Sequence, residues 1–150
     1  MLIYKNGDIL KATENIICHQ VNVDGIMGGG LALQIAKQYP RCEVEYKWYC
    51  KFNNNNYETL KGCFCSVLIN RSRTILNCFT QKPNFDTDYE QLKICFERVL
   101  EYAKKYDESI SVPYGYGCGI ANGNWLIIEK IFEELSEKYN IDISVYKLER

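Results

Sequence analysis

NIICHQVNVDGIMGGGLALQIAKQYP, residues 15–40, holds an apolar run of strand length, three consecutive glycines and then a helical pattern. Residues 15–22 are mostly apolar, which is typical of a central strand buried on both faces. The glycines at 28–30 cost backbone entropy, so we expect them to let a bound group approach the backbone closely. Apolar residues then recur at helical spacing over 31–36. A strand followed by a loop and a helix is the unit from which α/β folds are built.

Strands and helices continue to alternate along the rest of the chain. Further helices are predicted in RCEVEYKWYCKF, DYEQLKICFERVLEYAKKY and WLIIEKIFEELSEKY, with a polar loop at NNNNY. Strands are predicted in LIYKN, SISVP and IDISVYKL, and KGCFCSVLI and RTILNCFT form a hairpin around a four-residue turn at 70–73. The pattern predicts an α/β sandwich with a mixed, largely parallel sheet, and residues 1–150 form a single domain without linker or repeat.

Composition excludes several classes of protein. Hydrophobic residues make up 47% and charged residues 25%, as in ordinary globular proteins, and the net charge is −1. The chain therefore lacks the basic field of a typical nucleic-acid binder. The N-terminus, MLIYKNGDIL, does not resemble a signal peptide, and no apolar stretch approaches the ~18 residues of a membrane span. We expect a cytoplasmic protein without membrane contact.

Eight cysteines suggest reduced thiols rather than disulfides or a metal site. A disulfide scaffold requires a secretory route, which the sequence does not indicate. Only Cys63 and Cys65 lie close together, and a single intervening residue is shorter than the usual spacing of zinc ligands, about 2–4 residues. We predict small buried side chains and no metal.

A second glycine cluster occupies the same kind of position as the first. Residues 115, 117 and 119 are glycines that follow the buried strand SISVP and precede a helix. In open α/β sheets the carboxyl ends of strands line the ligand crevice, and helix N-termini there attract phosphate. Two such loops could hold a diphosphate from both sides, although glycines also serve simple tight turns. Neither cluster has the sequence of a P-loop or of a dinucleotide fingerprint.

The order of these motifs resembles the macro domain family. GDIL near the N-terminus, CHQVNVDGIMGGGLALQIAKQYP, VPYGYGCGIANGNW and a final ISVYKL carry the resemblance over nearly the whole chain. It implies a three-layer α/β/α sandwich and ADP-ribose as the ligand. Among macro domains the chain looks most like small stand-alone proteins that process ADP-ribose 1″-phosphate. It is also similar to the branch that removes ADP-ribose from acidic side chains.

The resemblance assigns binding roles residue by residue. Asp8 would accept a hydrogen bond from the adenine amine, and the backbone of the neighbouring Ile9 would help to hold the adenine. Tyr146 would pack against the adenine. Asp8 could instead cap a turn, and Tyr146 could be an ordinary strand tyrosine. Residues matched to the distal ribose and diphosphate are Asn22, Gly28, Gly29, Gly30, Gly117, Cys118, Gly119 and Ile120. Cys118 has no basic neighbour in sequence, so we interpret it as a small loop residue rather than a nucleophile.

Catalytic residues match the family less well. The branch that cleaves ADP-ribose from glutamate uses a lysine directly after a threonine, but Gln81 follows Thr80 here and Lys82 comes one residue later. The paired aspartate position falls at Ala121. Since a one-residue shift reverses the face of a strand, lysine catalysis through Lys82 requires a costly slip in register. Gln81 could instead bond a ribose hydroxyl.

His19 and Asp24 are the other catalytic candidates. His19 is the only histidine, and phosphatase-like relatives have a histidine at the matching place. It could act as general acid or base, or it could be a buried imidazole bonded to backbone. Asp24 is a second candidate, or a solvated turn residue.

We therefore expect a monomeric small enzyme that binds ADP-ribose and hydrolyses a phosphate or acyl group linked at the 1″ position, without a cofactor. Its substrate could be ADP-ribosylated protein, nucleic acid or a small molecule. The alternative is a non-catalytic protein that reads ADP-ribose or sequesters a nucleotide made from NAD. A plain nucleic-acid module is disfavoured by the net charge.

Overall fold

A computed structural model describes residues 1–148, in which six strands form one sheet. The strands are Leu2–Asn6 (β1), Ile16–Val21 (β2), Phe64–Asn70 (β3), Arg73–Phe79 (β4), Ile110–Pro113 (β5) and Ile143–Lys147 (β6). Their order across the sheet is β1-β6-β5-β2-β4-β3. All neighbours are parallel except the hairpin β3–β4. The mixed, largely parallel sheet predicted from the sequence is confirmed.

Five helices connect the strands: Gly30–Gln38 (α1), Pro40–Phe52 (α2), Tyr57–Leu60 (α3), Tyr89–Tyr106 (α4) and Trp125–Tyr139 (α5). The helices α4 and α5 each begin directly after a residue whose side chain caps the helix. Asp88 accepts a hydrogen bond from the Gln91 amide at the start of α4, and Asn124 accepts one from Leu126 at the start of α5. These caps fix where each helix begins, directly after the loops that leave the carboxyl ends of β4 and β5.

Two apolar clusters lie on opposite faces of the sheet, which gives three layers. One contains the buried stripe of α4, from Leu92 to Ala103, together with Ile128 and Phe132 of α5. The other contains Ile35 of α1 and the buried side of α2. Strand β2 supplies both clusters because successive side chains alternate between its faces. The α/β sandwich and the central, buried position of β2 follow the sequence-based prediction.

The hairpin turn predicted at residues 70–73 is confirmed: Asn70 pairs with Arg73 around Arg71 and Ser72, and the Asn70 side chain accepts a hydrogen bond from the Ser72 amide. Local details differ from the sequence-based predictions at two places. The region after the asparagine run includes α3, and Ile9–Lys11 form a 3-10 turn. Asn56 and Asp8 cap these two short elements, which have too few residues to show a periodic apolar pattern.

No helix within residues 1–148 has the length and apolar character that crossing a membrane requires. The same residues contain no cluster of three or more histidine, cysteine or acidic side chains arranged to hold a metal ion.

Candidate functional site

A cleft of about 700 Å³ opens where β2, β4 and β5 end. Both glycine loops line it, the first between β2 and α1 and the second between β5 and α5. Residues singled out from the sequence that line the cleft are His19, Asn22, Gly28, Gly29, Gly30, Gln81, Gly117, Gly119 and Ile120. The position at the carboxyl ends of parallel strands is the usual ligand crevice of open α/β sheets.

The first loop presents bare backbone to this cleft. A methyl group placed on Gly29 would have no protein atom within 4 Å, and Gly29 has φ −157°, an extended conformation that any residue adopts. Gly29 is the N-cap of α1, and no side chain caps that helix. The first N–H groups of α1 therefore have no side-chain acceptor and are available to an anion.

Asn22 shapes this loop from within. Its Oδ1 accepts hydrogen bonds from the Asp24 amide at 3.0 Å and from the Tyr46 hydroxyl at 2.8 Å, and its Nδ2 donates to the Ile26 carbonyl at 3.0 Å. Tyr46 is fully buried under the loop, and its hydroxyl also reaches the Asn22 carbonyl. The Asn22 amide therefore holds the loop in shape, and its second N–H is the part that a ligand could use.

A chain of four hydrogen bonds holds the second loop at the cleft, and Gln20 is its centre. The Thr80 hydroxyl donates to Gln20 Oε1 at 2.7 Å, so the Tyr116 hydroxyl, 2.7 Å from Thr80, must donate to Thr80. Gln20 Nε2 donates to Thr87 at 3.1 Å, and Thr87 donates to the Gly117 carbonyl at 2.7 Å. This chain of hydrogen bonds begins at Tyr116 and ends at Gly117, and both residues belong to the second loop.

The hydrogen-bond chain leaves room only for a glycine at position 117. The φ of Gly117, +70°, lies in the left-handed region that favours glycine, and a methyl group there would lie 2.7 Å from Thr87 Oγ1 and 3.2 Å from Gln20 Oε1. Burial raises the pKa of Tyr116 well above its usual range, so its hydroxyl keeps the proton that starts the chain. The conformation of the second loop is thus set by side chains from β2 and from the loop after β4.

His19 lies at the floor of the cleft as a buried, neutral imidazole. Its Nε2 is 2.6 Å from Asn77 Oδ1, and Asn77 Nδ2 donates to the Cys65 carbonyl, so Nε2 carries the proton. Nδ1 has no partner within the described residues. Burial lowers the pKa of His19 to about 4, against the opposing effect of the Asn77 hydrogen bond. At neutral pH this side chain can accept a proton at Nδ1 but has no acidic proton to give there.

The other residues singled out from the sequence do not line the cleft. Lys82 lies in a second depression with acidic neighbours on the loop after β4 and at the start of α4. Asp24 is exposed in the first loop. Cys118 is a half-buried residue of the second loop that packs against the core, where burial raises the pKa of its thiol and disfavours a thiolate nucleophile. Asp8, Ile9 and Tyr146 lie toward β1 and β6.

Asp8 and Tyr146 both have structural partners. Asp8 Oδ1 caps the 3-10 turn by accepting a hydrogen bond from the Leu10 amide at 2.9 Å, while Ile9 is buried in the core. The Tyr146 hydroxyl donates to Glu14 Oε1 at 2.5 Å. One carboxylate oxygen of Asp8 is not used by these bonds, and the Lys5 ammonium lies over one face of the Tyr146 ring, 5.8 Å from its centroid.

Glu14 is a buried charge that the sequence did not reveal. Besides Tyr146, it accepts hydrogen bonds from Lys5 at 2.6 Å and from Ser144 at 2.9 Å. Burial alone would raise its pKa, but the hydrogen bonds from Lys5, Tyr146 and Ser144 outweigh burial and lower it. Because these hydrogen bonds lower its pKa, Glu14 stays ionised although it is only 7% exposed, and it fixes the orientation of Tyr146 at the end of β6.

Comparison with known proteins gives these features a family. The family model of the Macro domain matches residues 18–132. An ADP-ribose 1″-phosphate phosphatase of Saccharomyces cerevisiae is 37% identical over 178 aligned positions, covering 98% of each chain. An uncharacterized 17.5 kDa protein of Enterobacteria phage T4 is 30% identical over 149 residues and 93% of each chain. The chain belongs to the macro domain family.

The fold agrees with this membership. The macrodomain of Mycobacterium tuberculosis DarG superposes with a TM-score of 0.85 at 24% identity, over 97% of each chain. The matched range 18–132 begins in β2 and ends in α5, so it contains both glycine loops and Gln81. The macro domain identified from its motifs is thus confirmed, and its two glycine loops meet at one cleft.

Proposed function

We propose that this macro domain binds ADP-ribose or a close derivative and hydrolyses a group linked to the 1″ carbon of the distal ribose. The observation that carries the proposal is the meeting of two glycine loops at one cleft, which the N-terminus of α1, without a side-chain cap, also lines. Backbone N–H groups on both sides suit a diphosphate. The name of the yeast relative, ADP-ribose 1″-phosphate phosphatase, supports the same ligand class.

The sheet order suggests how ADP-ribose lies in the cleft. Asp8 and Tyr146 follow or end the adjacent strands β1 and β6, while Gln81 follows β4 on the other side of the cleft. The adenine would lie toward Asp8, the diphosphate between the glycine loops, and the distal ribose toward Gln81. Strands β1 and β6 come from opposite ends of the sequence and pair with each other, so we also infer that residues 1–150 form one domain.

The chemistry that this cleft supports is attack by water. Ala121 lines the cleft where the glutamate-cleaving branch has an aspartate, and Lys82 lies in the second depression. A water held by the ligand's own diphosphate would attack the phosphorus or acyl carbon of the linked group, and the bond from that atom to the 1″ oxygen would break. The water proton would pass to a neutral acceptor, which would then return it to the departing 1″ oxygen. His19 is such an acceptor in its protonation state, with Nδ1 unpartnered in the described residues.

A non-catalytic reader is the second candidate, and the same placement of Lys82 and Ala121 favours it. One assay separates the two. The protein is incubated with ADP-ribose 1″-phosphate, O-acetyl-ADP-ribose, and ADP-ribosylated protein and DNA, and free ADP-ribose is followed by chromatography. Release from one of them that Lys82→Ala retains supports the water mechanism. Tight binding of ADP-ribose without release from any substrate selects the reader, and loss of release in Lys82→Ala would restore a lysine mechanism.

The proposed binding of adenine by Asp8 can be tested separately from its capping of the 3-10 turn. Asp8→Asn keeps a side-chain oxygen for the Leu10 amide but removes the charge that would accept the adenine amine. Loss of a hydrogen bond to a charged group costs about 1.5–3 kcal/mol, so we expect ADP-ribose affinity to fall at least about tenfold. Calorimetry measures the affinity, and thermal unfolding should show little change. Equal affinity of Asp8→Asn and wild type would leave Asp8 as a cap alone.

A further inference from the structure

The loop after β4 closes the end of the cleft opposite β1 and β6. Phe85, near the tip of this loop, lines the cleft and is 47% exposed. If ADP-ribose lies as proposed above, this end holds the distal ribose and whatever is linked to its 1″ carbon. The inference below therefore rests on the proposed function.

Phe85 has an unusual backbone conformation. Its φ is +73°, in the left-handed region. Within residues 1–148 the other non-glycine residues with positive φ are Asn54, Asn55, Asp107, Asn122 and Asn140. Asparagine and aspartate tolerate this region because their short side chains bond locally, whereas a bulky aromatic residue there is strained. Phe85 is thus an outlier in a chain that otherwise gives such positions to suitable residues.

The loop is built so as to hold Phe85 in this conformation. Gln81 Nε2 donates to the Phe85 carbonyl at 3.0 Å, and the Phe85 amide donates to the Lys82 carbonyl at 2.8 Å. The Lys82 amide donates to Asp86 at 2.7 Å, and Gln81 pairs with Thr87 across the base of the loop. Since about half of the ring stays exposed, core burial does not account for the strain, and strained residues that are held in place occur at ligand sites.

Two further apolar side chains that line the cleft are exposed. Ile26 from the first loop is 60% exposed and Ile120 from the second is 80% exposed, and both line the cleft. Each of the three loops thus contributes at least one exposed apolar side chain. Among the described residues that line the cleft there is no lysine, arginine, aspartate or glutamate. Such a surface gains from covering an apolar group and offers no side-chain cation to a second phosphate.

We propose that Phe85 is a specificity-determining residue whose ring covers the group linked to the 1″ carbon and selects an uncharged group with an apolar face over a phosphate. Ile26 and Ile120 extend this apolar wall from the glycine loops. The diphosphate is bound by backbone N–H groups, so the cleft needs no cation for it. The preferred substrate is then ADP-ribose joined to an acyl or ring-containing group.

The test compares three ligands by calorimetry: ADP-ribose, ADP-ribose 1″-phosphate and 1″-O-benzyl-ADP-ribose, each checked for integrity after titration. We expect the wild-type protein to bind the benzyl ligand at least about tenfold more tightly than the 1″-phosphate, as covering one apolar ring implies. Phe85→Asn should lose about tenfold in affinity for the benzyl ligand and stay within about twofold for ADP-ribose. Phe52→Asn on α2, also an exposed phenylalanine, is the matched control and should change neither affinity.

Stability distinguishes this role from a structural one. Asparagine suits the left-handed conformation, so Phe85→Asn should unfold at the same temperature as wild type or a higher one while selectivity is lost. A lower unfolding temperature together with unchanged selectivity would make the ring structural and overturn the inference, as would tighter binding of the 1″-phosphate by wild type. Failure of ADP-ribose itself to bind would overturn the proposed function and this inference with it.

Discussion

Gly29→Val is expected to lower the affinity for ADP-ribose by at least about 100-fold without weakening the fold. The extended conformation of Gly29 accommodates valine, and its side chain would point into the open cleft rather than against protein atoms. It would occupy the space beside the first N–H groups of α1, where the diphosphate and distal ribose are placed. Loss of two charge-assisted hydrogen bonds alone corresponds to about 3 kcal/mol or more.

Gly30 provides the matched control for this experiment. A methyl group on Gly30 also meets no atom within 4 Å, but its φ is +55°, so Gly30→Val should strain the backbone and lower the free energy of unfolding. Gly29→Val should unfold in urea like wild type, as measured by circular dichroism, while calorimetry shows the loss of binding. If Gly29→Val bound ADP-ribose normally, the first glycine loop would not be the diphosphate site.

The features that sequence predicted well are those carried by contiguous residues. Strand β2 shows its double burial in six consecutive residues, and α4 repeats its apolar stripe from Leu92 to Ala103, about three turns, so the local pattern alone identifies both. The glycine loops could be placed at one edge because the carboxyl ends of parallel strands share that edge. The short α3 and the 3-10 turn at Ile9–Lys11 were missed because they have too few residues to show a periodic pattern and are capped by single side chains.

The features that sequence did not reveal depend on partners far apart in the chain. Gln20 meets Thr80 and Thr87, which lie 60 and 67 residues away, and nothing in the sequence near Gln20 indicates these partners. Glu14 meets Ser144 across 130 residues, so its burial as a charge follows from the pairing of β1 with β6 and is not visible locally. The positive φ of Phe85 has no sequence signal, since asparagine or glycine would be expected there.

Acid is expected to destabilise this protein well above the pH at which its carboxylates titrate, because of His19. Its folded pKa of about 4 lies below the unfolded value of 6.5. Above about pH 6.5 both states are neutral and the full stability is present. As pH falls toward 4 the unfolded state takes up the proton first, so stability drops by up to about 3 kcal/mol. Urea denaturation across this range measures the loss, and His19→Gln should remove most of the slope between pH 6.5 and 5.

Glu14→Gln is the control, because the lowered pKa of Glu14 affects stability only as pH falls below about 4.5 and leaves the pH dependence of stability between pH 6.5 and 5 unchanged.

The single histidine also gives one imidazole signal, whose NMR titration reports the folded pKa of His19 directly. A folded pKa near 4 restricts His19 to accepting a proton at Nδ1, so hydrolysis at neutral pH would use it as a base. A folded pKa above 6 would contradict the neutral, buried state and make His19 available as a general acid toward the departing 1″ oxygen.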